Sequence, residues 1–439
     1  MEHPPPAPSE GARQVLVLNC GSSSVKYRLL APDTGLVQAS GLVERIGEGD
    51  QGRLVHRGPA GSATVTGVIA DHDAALRAIL GAFAEHGPDL GTAGLAAVGH
   101  RMVHGGEVFR EPVVVDDEVE ATVDRLSVLA PLHNPANLEG VRVARAALPD
   151  VPHVAVFDTA FHATIPPRAA HYAVPEEWRT RYGVRKYGFH GTSFSSLTRR
   201  TAALLGRRPE DLNAILLHLG NGASACAVAG GRSVDTTMGL TPLPGLVMGT
   251  RSGDVDPALP MHLQRVAGLS GAEVDRALNR SSGLLGLTGA SDAREVIARA
   301  EAGEPQADAA LDIYCYRIKT YVGAYYAALG RVDAVVFTAG VGENSPLIRA
   351  RSLAGLGRLG IVVDRLRNES PDRDERFLSP DGAEVAVMVV PADEEREIAS
   401  QALSLVVARA GTPRGGSPVP AAPGGSPEPT APGGSPDRL

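Results

Sequence analysis

Cysteine, lysine and long apolar runs are all scarce in this sequence. Its 439 residues include three cysteines, Cys20, Cys226 and Cys315, without C-x-x-C spacing, which argues against a disulfide framework and a structural zinc site. The most apolar stretch, at 215–229, is interrupted by polar residues and is too short to cross a bilayer. The proline-rich N-terminus lacks the apolar segment of a secretory signal. Together these absences predict a protein of the reducing cytoplasm.

Basic runs are missing as well. The net charge is −8, and no sustained Lys/Arg stretch offers the electrostatic footprint of a nucleic-acid or anionic-membrane binder. We therefore expect no nucleic acid and no membrane as partners, and small diffusible ligands instead. Lysine occurs only at Lys26, Lys186 and Lys319, so each is a candidate for a task that suits a compact ammonium better than a guanidinium. Chance survival on the surface is an equal alternative for each of them.

Apolar strands and helical stretches alternate along the chain in two similar series. With 43% hydrophobic residues, the chain can build the cores of about two domains. QVLVL (14–18) and VKYRLL (25–30) predict strands around a turn of small residues, and LVQASGLVERI predicts a third strand. LNAILLHLGNGASACAVAGG (212–231) and RSVDTTMG repeat this layout. The weak duplication predicts two similar α/β domains that face each other across a cleft.

The two ends of the chain differ from its middle in composition. Residues 1–13 are proline-rich, and residues 411–439 repeat GGSP, so neither segment can bury enough apolar surface to order itself. We expect both to be disordered. Just before the tail, a last helix from Glu394 to about Ala410 is expected to cross back to the first domain. Further helices are predicted at 71–87, 256–267, 271–280 and 307–329.

Three turns rich in glycine or serine follow apolar strands, at 19–26, 218–222 and 340–344. The first lacks the G-x-x-x-x-G-K-[ST] spacing of a P-loop, but its backbone N–H groups and serine hydroxyls can still hold anionic oxygens. An unliganded hairpin is the alternative for any one of them, because glycine and serine dominate turns anyway. Together the three predict a nucleotide held at its phosphates by two domains and at its base or ribose by the third turn.

Charged side chains are predicted at strand ends. Arg101 in GHRMVHGG and Arg251 in GTRSGDVDP suit carboxylate or phosphoryl oxygens, and a structural ion pair is the alternative for each. Asp158 follows HVAVF as a functional strand-end carboxylate would, and a helix cap is the alternative. No H-E-x-x-H or H-x-x-x-H spacing falls on a plausible helix, which argues against a zinc site. DEER at 393–396 is either an acidic first helical turn or a source of a carboxylate for MgATP.

At this point the ordered motifs resemble one family, the acetate kinases. The resemblance runs from about Val15 to Ala410 and rests on NCGSSSVK, GHRMVHGG, LAPLHNP, VFDTAFH, YGFHGTS, HLGNGAS, GTRSGDVDP, SDAR, AGVGEN and PADEEREIA. It implies an α/β fold of two duplicated ribonuclease-H-like domains, as in actin-like ATPases, facing across an active-site cleft. The implied division is an N-terminal domain at 14–160, completed by the helix at 394–410, and a nucleotide-binding domain at 161–393.

The resemblance also implies roles for individual residues in phosphoryl transfer between ATP and acetate, with ADP and acetyl phosphate as the products. Asp158, His190 and Arg251 would be catalytic, and Asn19 and Glu394 would bind Mg²⁺ or Mn²⁺. A homodimer is implied as well. The implied acetate site consists of Arg101, Val103, Leu132, His133, Phe189 and Pro242. The implied ATP contacts are Ser22, Ser24, Lys26, His218, Leu219, Gly220, Asn221, Gly222, Asp292, Ala293, Arg294, Gly340, Val341, Gly342, Glu343 and Asn344.

Two alternatives remain at the level of sequence. A propionate or butyrate kinase on the same fold is the nearer one, because one methylene is worth only ~1–3 kcal/mol in an apolar pocket. A nucleotide-driven switch of the actin or chaperone kind is the other, and it leaves Arg101, His190 and Arg251 without a task. The sequence departs from the family pattern at Ala392-Asp393, where Thr-Asn is usual. The extra carboxylate leaves open whether Glu394 alone meets the metal.

Overall fold

A computed structural model describes residues 13–91 and 93–411 of the chain, and its secondary structure is organised around two mixed β-sheets. The disorder predicted for the two ends lies outside the described residues, apart from Arg13 and Gly411. Gly411 is the last residue of a helix.

The first sheet has eight strands in the order β5-β4-β3-β2-β1-β6-β8-β7. Strands β1, β2 and β3 are antiparallel neighbours, whereas β6 and β8 run parallel to β1. The strands are β1 (Gln14–Cys20), β2 (Ser24–Ala31), β3 (Leu36–Glu44), β4 (Gly52–Gly58), β5 (Gly61–Gly67), β6 (Leu95–Met102), β7 (Val113–Val114) and β8 (His153–Phe157).

The second sheet has six strands in the order β11-β10-β9-β12-β14-β13. Its first five positions repeat the order and the directions of β3-β2-β1-β6-β8, because β9, β10 and β11 are antiparallel and β12 and β14 are parallel to β9. The predicted duplication is therefore confirmed. The strands are β9 (Asn213–Leu219), β10 (Ala223–Ala229), β11 (Arg232–Thr236), β12 (Ala334–Thr338), β13 (Arg376–Phe377) and β14 (Ala386–Val389).

Helices lie between and beside the strands. The helix expected at 256–267 begins three residues later, because Asp256 caps a turn by accepting from the backbone N–H of Ala258 at 2.7 Å. The helices are α1 (His72–His86), α2 (Asp117–Leu126), α3 (Asn134–Ala147), α4 (Pro167–Ala170), α5 (Glu176–Tyr182), α6 (Gly191–Leu204), α7 (Leu259–Ala267), α8 (Gly271–Arg280), α9 (Gly283–Thr288), α10 (Ala293–Glu301), α11 (Pro305–Leu329), α12 (Ala339–Asn344), α13 (Pro346–Leu353), α14 (Arg365–Asn368) and α15 (Glu394–Gly411).

The third predicted turn is wrong in its conformation. Residues 340–344 belong to the short helix α12, which starts directly after β12. Ala339 makes this sharp change of direction with φ of 65°, in the left-handed region that a non-glycine residue seldom adopts. The placement of Arg251 at a strand end is also wrong, because it lies in the long connection between β11 and α7.

Each sheet is covered on both faces, which explains why the central strands read as continuous apolar runs. Alternate residues of a strand point to opposite faces. Leu16 and Leu18 of β1 therefore pack in the cluster that includes α1, whereas Val15 and Val17 pack with α15. The central strand of the second sheet, β9, divides its side chains in the same way between α11 and α6.

Helices α6 and α15 each pack on the sheet that did not lead into them. Helix α6 follows the first sheet in the chain, yet its Phe194 and Leu197 pack against the second. Helix α15 follows the second sheet, yet its Ile398 packs against the first. The two helices also meet each other, where the buried Glu397 accepts hydrogen bonds from Arg199 Nη1 at 2.7 Å and from Ser195 Oγ at 2.9 Å.

Across residues 13–91 and 93–411, no helix has the length and apolarity that a membrane crossing requires.

Candidate active site

Arg101 and Asp158 form a two-pronged ion pair at the carboxyl ends of β6 and β8. Arg101 Nη2 lies 2.6 Å from Asp158 Oδ2, and Arg101 Nε lies 3.2 Å from the same oxygen. Asp158 is 2% exposed and also accepts from Thr192 Oγ1 at 3.0 Å. The Asp158 carboxylate raises the pKa of Arg101. Two neighbouring parallel strands thus fix a permanently charged guanidinium at their carboxyl ends.

His190 enters the site from the start of α6, in a left-handed conformation with φ of 56°. Its Nδ1 is 2.8 Å from Ser224 Oγ, and its ring stacks on His218 with 4.1 Å between centroids. His218 is itself held by Ser193 Oγ at 2.9 Å. Burial, with His218 and the two arginines Arg101 and Arg251 nearby, keeps the pKa of His190 well below 6.5. His190 is therefore a neutral hydrogen-bonding group at pH 7.

Arg251 approaches the same point from the connection before α7. Its Nη1 donates to the carbonyl of Pro242 at 3.3 Å, and no carboxylate lies within ion-pair distance among the residues that the structure describes. Burial lowers the pKa of its guanidinium. A Cβ on Gly222 would lie 3.6 Å from Arg251 Nη1 and 3.7 Å from His190 Nε2. The second predicted turn therefore brings these two side chains together.

A large cavity of about 1520 Å³ opens on the second sheet. It is lined by the three segments predicted to bind ATP. The predicted residues on its wall are Gly220, Asn221, Asp292, Ala293, Arg294, Gly340, Val341 and Asn344. Leu284, Ile297, Tyr314, Leu353 and Ile361 give the cavity an apolar part. The polar turn suits the phosphates of a nucleotide, and the apolar wall suits its base.

Gly249 shows how closely the segments around this cavity approach each other. Its N–H donates to the Asn221 carbonyl at 3.0 Å. A Cβ at this position would lie 2.1 Å from Asn221 Oδ1 and 2.9 Å from the carbonyl oxygen of Ser291. Only glycine fits between the second predicted turn and the segment that leads into α10.

Other predicted ATP residues do not line the cavity. Leu219 is fully buried in the core, and Gly342 packs against it and Phe337. Glu343 Oε1 accepts from the backbone N–H of Ala392 at 2.9 Å, so its carboxylate supports the segment before α15. His218 and Gly222 lie at the His190 and Arg251 cluster instead.

Sequence reasoning missed Arg349, which holds α12 in place. This side chain is fully buried and donates to the carbonyls of Gly342 and Glu343, each at 2.9 Å, and to Asn368 Oδ1 and O, each at 2.7 Å. All four acceptors are neutral, and burial lowers the pKa of Arg349 to about 10. No motif marked this arginine, because its partners are backbone groups and one distant amide.

The first predicted turn carries a different arrangement. Ser22 is exposed, Ser24 is half-buried, and the backbone closes the turn between Gly21 N and Ser24 O at 2.8 Å. Lys26 pairs across the hairpin with Asn19, and its ammonium contacts Glu395 at the start of α15. Asn19 and α15 thus meet at the same end of the first sheet.

Glu394 differs from its two acidic neighbours. Asp393 and Glu395 both make ion pairs, whereas no cation lies within 4.0 Å of the Glu394 carboxylate in the described part of the chain. Burial raises the pKa of Glu394 above its ordinary value, because its effect is larger than the opposing effect of the nearby Arg101 charge. The extra carboxylate of Asp393 is occupied by Arg28 Nη1 at 2.9 Å. Of these three neighbouring carboxylates, only that of Glu394 has no ion-pair partner among the described residues.

These donors fit a magnesium ion that is completed by a ligand. Within residues 13–91 and 93–411, no group of three or more His, Cys, Asp or Glu side chains could hold a metal by itself. Mg²⁺ is usually bound by one or two carboxylates together with substrate phosphates and waters. The free Glu394 carboxylate and the Asn19 amide match such a partial set.

The predicted acetate residues are only partly gathered. Phe189 is 4% exposed and packs in the same cluster as Val103. Burial lowers the pKa of His133, and the charges of Arg251 and Arg101 lower it further. His133 therefore lies near both guanidinium groups. Leu132 is 65% exposed. Leu132 therefore leaves one side of the predicted apolar pocket open.

Comparison with known proteins agrees with this geometry. A family model described as the Acetokinase family matches residues 14–400. An acetate kinase from Streptomyces avermitilis is 58% identical over 395 residues, which cover 90% of this chain and 97% of the relative. One from Clavibacter michiganensis is 57% identical over 390 residues, covering 89% and 98% of the two chains.

Solved structures give the same result. The Porphyromonas gingivalis acetate kinase superposes with a TM-score of 0.86 at 43% identity and covers 90% of this chain and 100% of that one. A propionate kinase from Francisella tularensis gives 0.84 at 38% identity, covering 89% and 99%. The predicted fold class, two duplicated actin-like ATPase units, is confirmed.

Proposed function

The chain belongs to the acetokinase family, and we propose that it is an acetate kinase that transfers the γ-phosphoryl group of ATP to acetate at the Arg101–Asp158–His190–Arg251 cluster. One observation carries this assignment to the cluster. Gly220 and Asn221 line the nucleotide cavity, and the next residue, Gly222, contacts the space between Arg251 and His190. The proposed nucleotide cavity therefore ends next to Arg251, whose guanidinium has no carboxylate partner among the residues that the structure describes.

The chemistry of phosphoryl transfer assigns a task to each side chain. The transferred group carries negative charge on three oxygens, so catalysis is mostly positioning and electrostatic stabilisation. Arg251, which has no carboxylate partner in the described part of the chain, supplies a fixed positive charge for those oxygens. Neutral His190, whose Nδ1 is engaged by Ser224, offers Nε2 on the side of Gly222.

Acetate is held and oriented on the first sheet. Arg101 uses Nε and Nη2 for Asp158, which leaves Nη1 for the carboxylate of acetate. A carboxylate is already nucleophilic at pH 7, so Asp158 fixes Arg101 and polarises the site without removing a proton. Val103 and Phe189 provide an apolar wall for the methyl group.

Mg²⁺ or Mn²⁺ is part of the proposal. When bound, the ion would neutralise charge on the phosphate oxygens. Glu394 and Asn19 would hold it on the protein side, because the Glu394 carboxylate has no ion-pair partner between residues 13 and 411 as described, and Asn19 lies at the same sheet end.

The acceptor is proposed to be acetate and not propionate. The relatives at 57–58% identity are acetate kinases, whereas the propionate kinase is 38% identical. Comparing kcat/KM for acetate, propionate and butyrate tests this, and a clear preference for propionate would overturn it. The nucleotide-switch alternative is not retained, because the chain belongs to a family of kinases.

The activity itself is tested by trapping the acyl phosphate with hydroxylamine in the presence of ATP, Mg²⁺ and acetate. We expect an acetate-dependent product in the wild type and its near-complete loss in Arg251→Ala. Absence of product from the wild-type protein, or an Arg251→Ala variant as active as wild type, would contradict the proposed site.

Three further features belong to the same proposal. The domains are 14–160 with 394–410, and 161–393, which is supported by the packing of α15 on the first sheet. A homodimer is implied by the family and is tested by sedimentation velocity. A location in a reducing cytoplasm is supported by the three cysteines, which are free and buried.

A further inference from the structure

Three consecutive carboxylates, Asp393, Glu394 and Glu395, stand where α15 begins, and β2 contacts two of them. Arg28 Nη1 lies 2.9 Å from Asp393 Oδ1 and 3.8 Å from Glu395 Oε2. Lys26, two residues earlier on the same face of β2, contacts Glu395 as well. The outer two carboxylates are therefore tied to the first sheet, and the middle one is not.

A second attachment fixes the same turn of α15. The backbone N–H of Arg396 faces Asp393 Oδ1 at 3.4 Å, and Arg396 Nε donates to the carbonyl of Pro32, directly after β2, at 3.3 Å. The Arg28 side chain is 26% exposed and that of Asp393 is 31% exposed, so their ion pair is partly shielded from water. Such a pair can determine geometry, which an exposed pair seldom does.

We propose that Arg28 is a positioning residue that locks the first turn of α15 onto β2 through Asp393 and Glu395, so that Glu394 is presented to the metal of the nucleotide complex. This inference rests on the proposed function, in which Glu394 binds that metal. It also explains why Asp393 does not compete for the ion, since its carboxylate is already occupied by Arg28.

A positioning role and a purely electrostatic role of Arg28 predict opposite effects of its removal on the affinity for a divalent cation. If Arg28 acted only through its charge, its removal would make the site more negative and would tighten the binding of a divalent cation. If Arg28 positions Glu394, its removal weakens binding, because groups that orient a metal ligand typically contribute roughly 10–100-fold to metal affinity. The sign of the effect therefore separates the two explanations.

The experiment measures Mn²⁺ binding to the full chain in the presence of ADP, by the electron paramagnetic resonance signal of free Mn²⁺. For Arg28→Gln we expect the dissociation constant to rise roughly 10–100-fold. For Arg28→Lys, which keeps the charge and loses the guanidinium fork, we expect a value between wild type and Arg28→Gln. Arg57→Gln removes an exposed arginine from β4 of the same sheet and is the matched control, with wild-type binding expected.

Tighter or unchanged Mn²⁺ binding by Arg28→Gln, or an equal loss in Arg57→Gln, would overturn the inference. Thermal unfolding of each variant identifies any that fails to fold. If Arg28→Gln does not fold, Arg28→Lys decides, because charge alone predicts no change there and positioning predicts weaker binding. Failure of the proposed function is seen separately, as a wild-type protein that forms no acyl phosphate although these Mn²⁺ measurements succeed.

Discussion

The two sheets share a strand order, yet the hairpin turns at their corresponding places do different work. In the second sheet, the turn at 220–222 forms part of the wall of the large cavity and lies next to Arg251 and His190. In the first sheet, the turn at 21–23 leads into Lys26 and Arg28, which hold the start of α15. Duplication thus gave the two sheets equivalent turns, and divergence of their side chains made one a wall of the proposed nucleotide site and the other a support for an acidic helix end.

Strands β8 and β14, which hold the last position in the strand order shared by the two sheets, lead to carboxylates with different partners. Strand β8 leads at once to Asp158, whereas β14 leads after a short connection to Glu394. Asp158 is neutralised by Arg101, and Glu394 is free of ion pairs among the described residues. Equivalent places in the two halves therefore hold one carboxylate that fixes an arginine and one that is proposed to bind a cation.

The largest effect is expected from removing the free charge beside the second turn. Arg251→Ala should lower kcat by about 10³–10⁵-fold, because an arginine that stabilises a transferring phosphoryl group contributes about that much. Steady-state kinetics with saturating ATP and acetate measure it. Arg207→Ala, at an ion pair with Asp333 away from the cluster, serves as the control and should retain wild-type kcat.

Next in size is the effect of shortening a buried side chain on either crossing helix. Ile398→Ala in α15 and Leu197→Ala in α6 should each lower the free energy of unfolding by about 2–5 kcal/mol, since both side chains are 1% exposed. Urea denaturation measures both. Val407→Ala, on the partly exposed side of α15, should have little effect. A loss in only one of the two helix variants would break the symmetry between the halves.

Lys26 tests whether the first hairpin also contacts the nucleotide. Its side chain is 52% exposed and bound to Glu395, so it can reach a phosphate only by leaving that carboxylate to Arg28. Lys26→Ala should raise KM for ATP by about 10–100-fold, the equivalent of ~1.5–3 kcal/mol for a charged hydrogen bond. The melting temperature should stay close to that of wild type. A variant that melts much earlier with unchanged KM would make Lys26 purely structural.

The smallest expected effect is the loss of stability at low pH that each of three buried histidines causes. Burial lowers the pKa of His104, His162 and His218 to about 4. Below pH 6.5 these histidines bind protons in the unfolded chain but not in the folded chain. Their contribution to the free energy of unfolding is therefore fully present above about pH 6.5 and is lost as the pH falls toward 4. At pH 5 the loss is about 2 kcal/mol per histidine. The melting temperature should therefore drop between pH 7 and pH 5, and a flat profile would contradict this origin.

Much of the fold followed from the sequence because its signals are local. Apolar runs and small-residue turns predicted β1, β2, β9 and β10, and Asp71 and Gly87 bounded α1 as expected from capping. The ordered motifs marked Arg101 and Asp158, which the fold joins in an ion pair. The helical form of 340–344 was missed because glycine and asparagine favour turns, and tertiary bonds from Arg349 outweigh that preference.

The ion-pair network could not be predicted from local signals. Arg28 and Asp393 lie 365 positions apart in the chain, and no sequence motif indicates that they form a pair. Strands β4 and β5, which extend the first sheet at its edge, also escaped notice, because their glycine-bounded, half-polar residues do not stand out from loops. Long-range partners and edge strands are the parts that only the folded chain reveals.

The crossing of α15 onto the first sheet has a consequence for the order in which the protein matures on the ribosome. The first sheet is complete once β8 has been synthesised, but Val15, Val17 and Val154 remain uncovered until Ile398 and Ala402 arrive. Domains usually fold as they emerge, N-terminal first. Here one face of the earliest strands must wait for almost the whole chain, so the nascent first half is the stretch most in need of protection from aggregation.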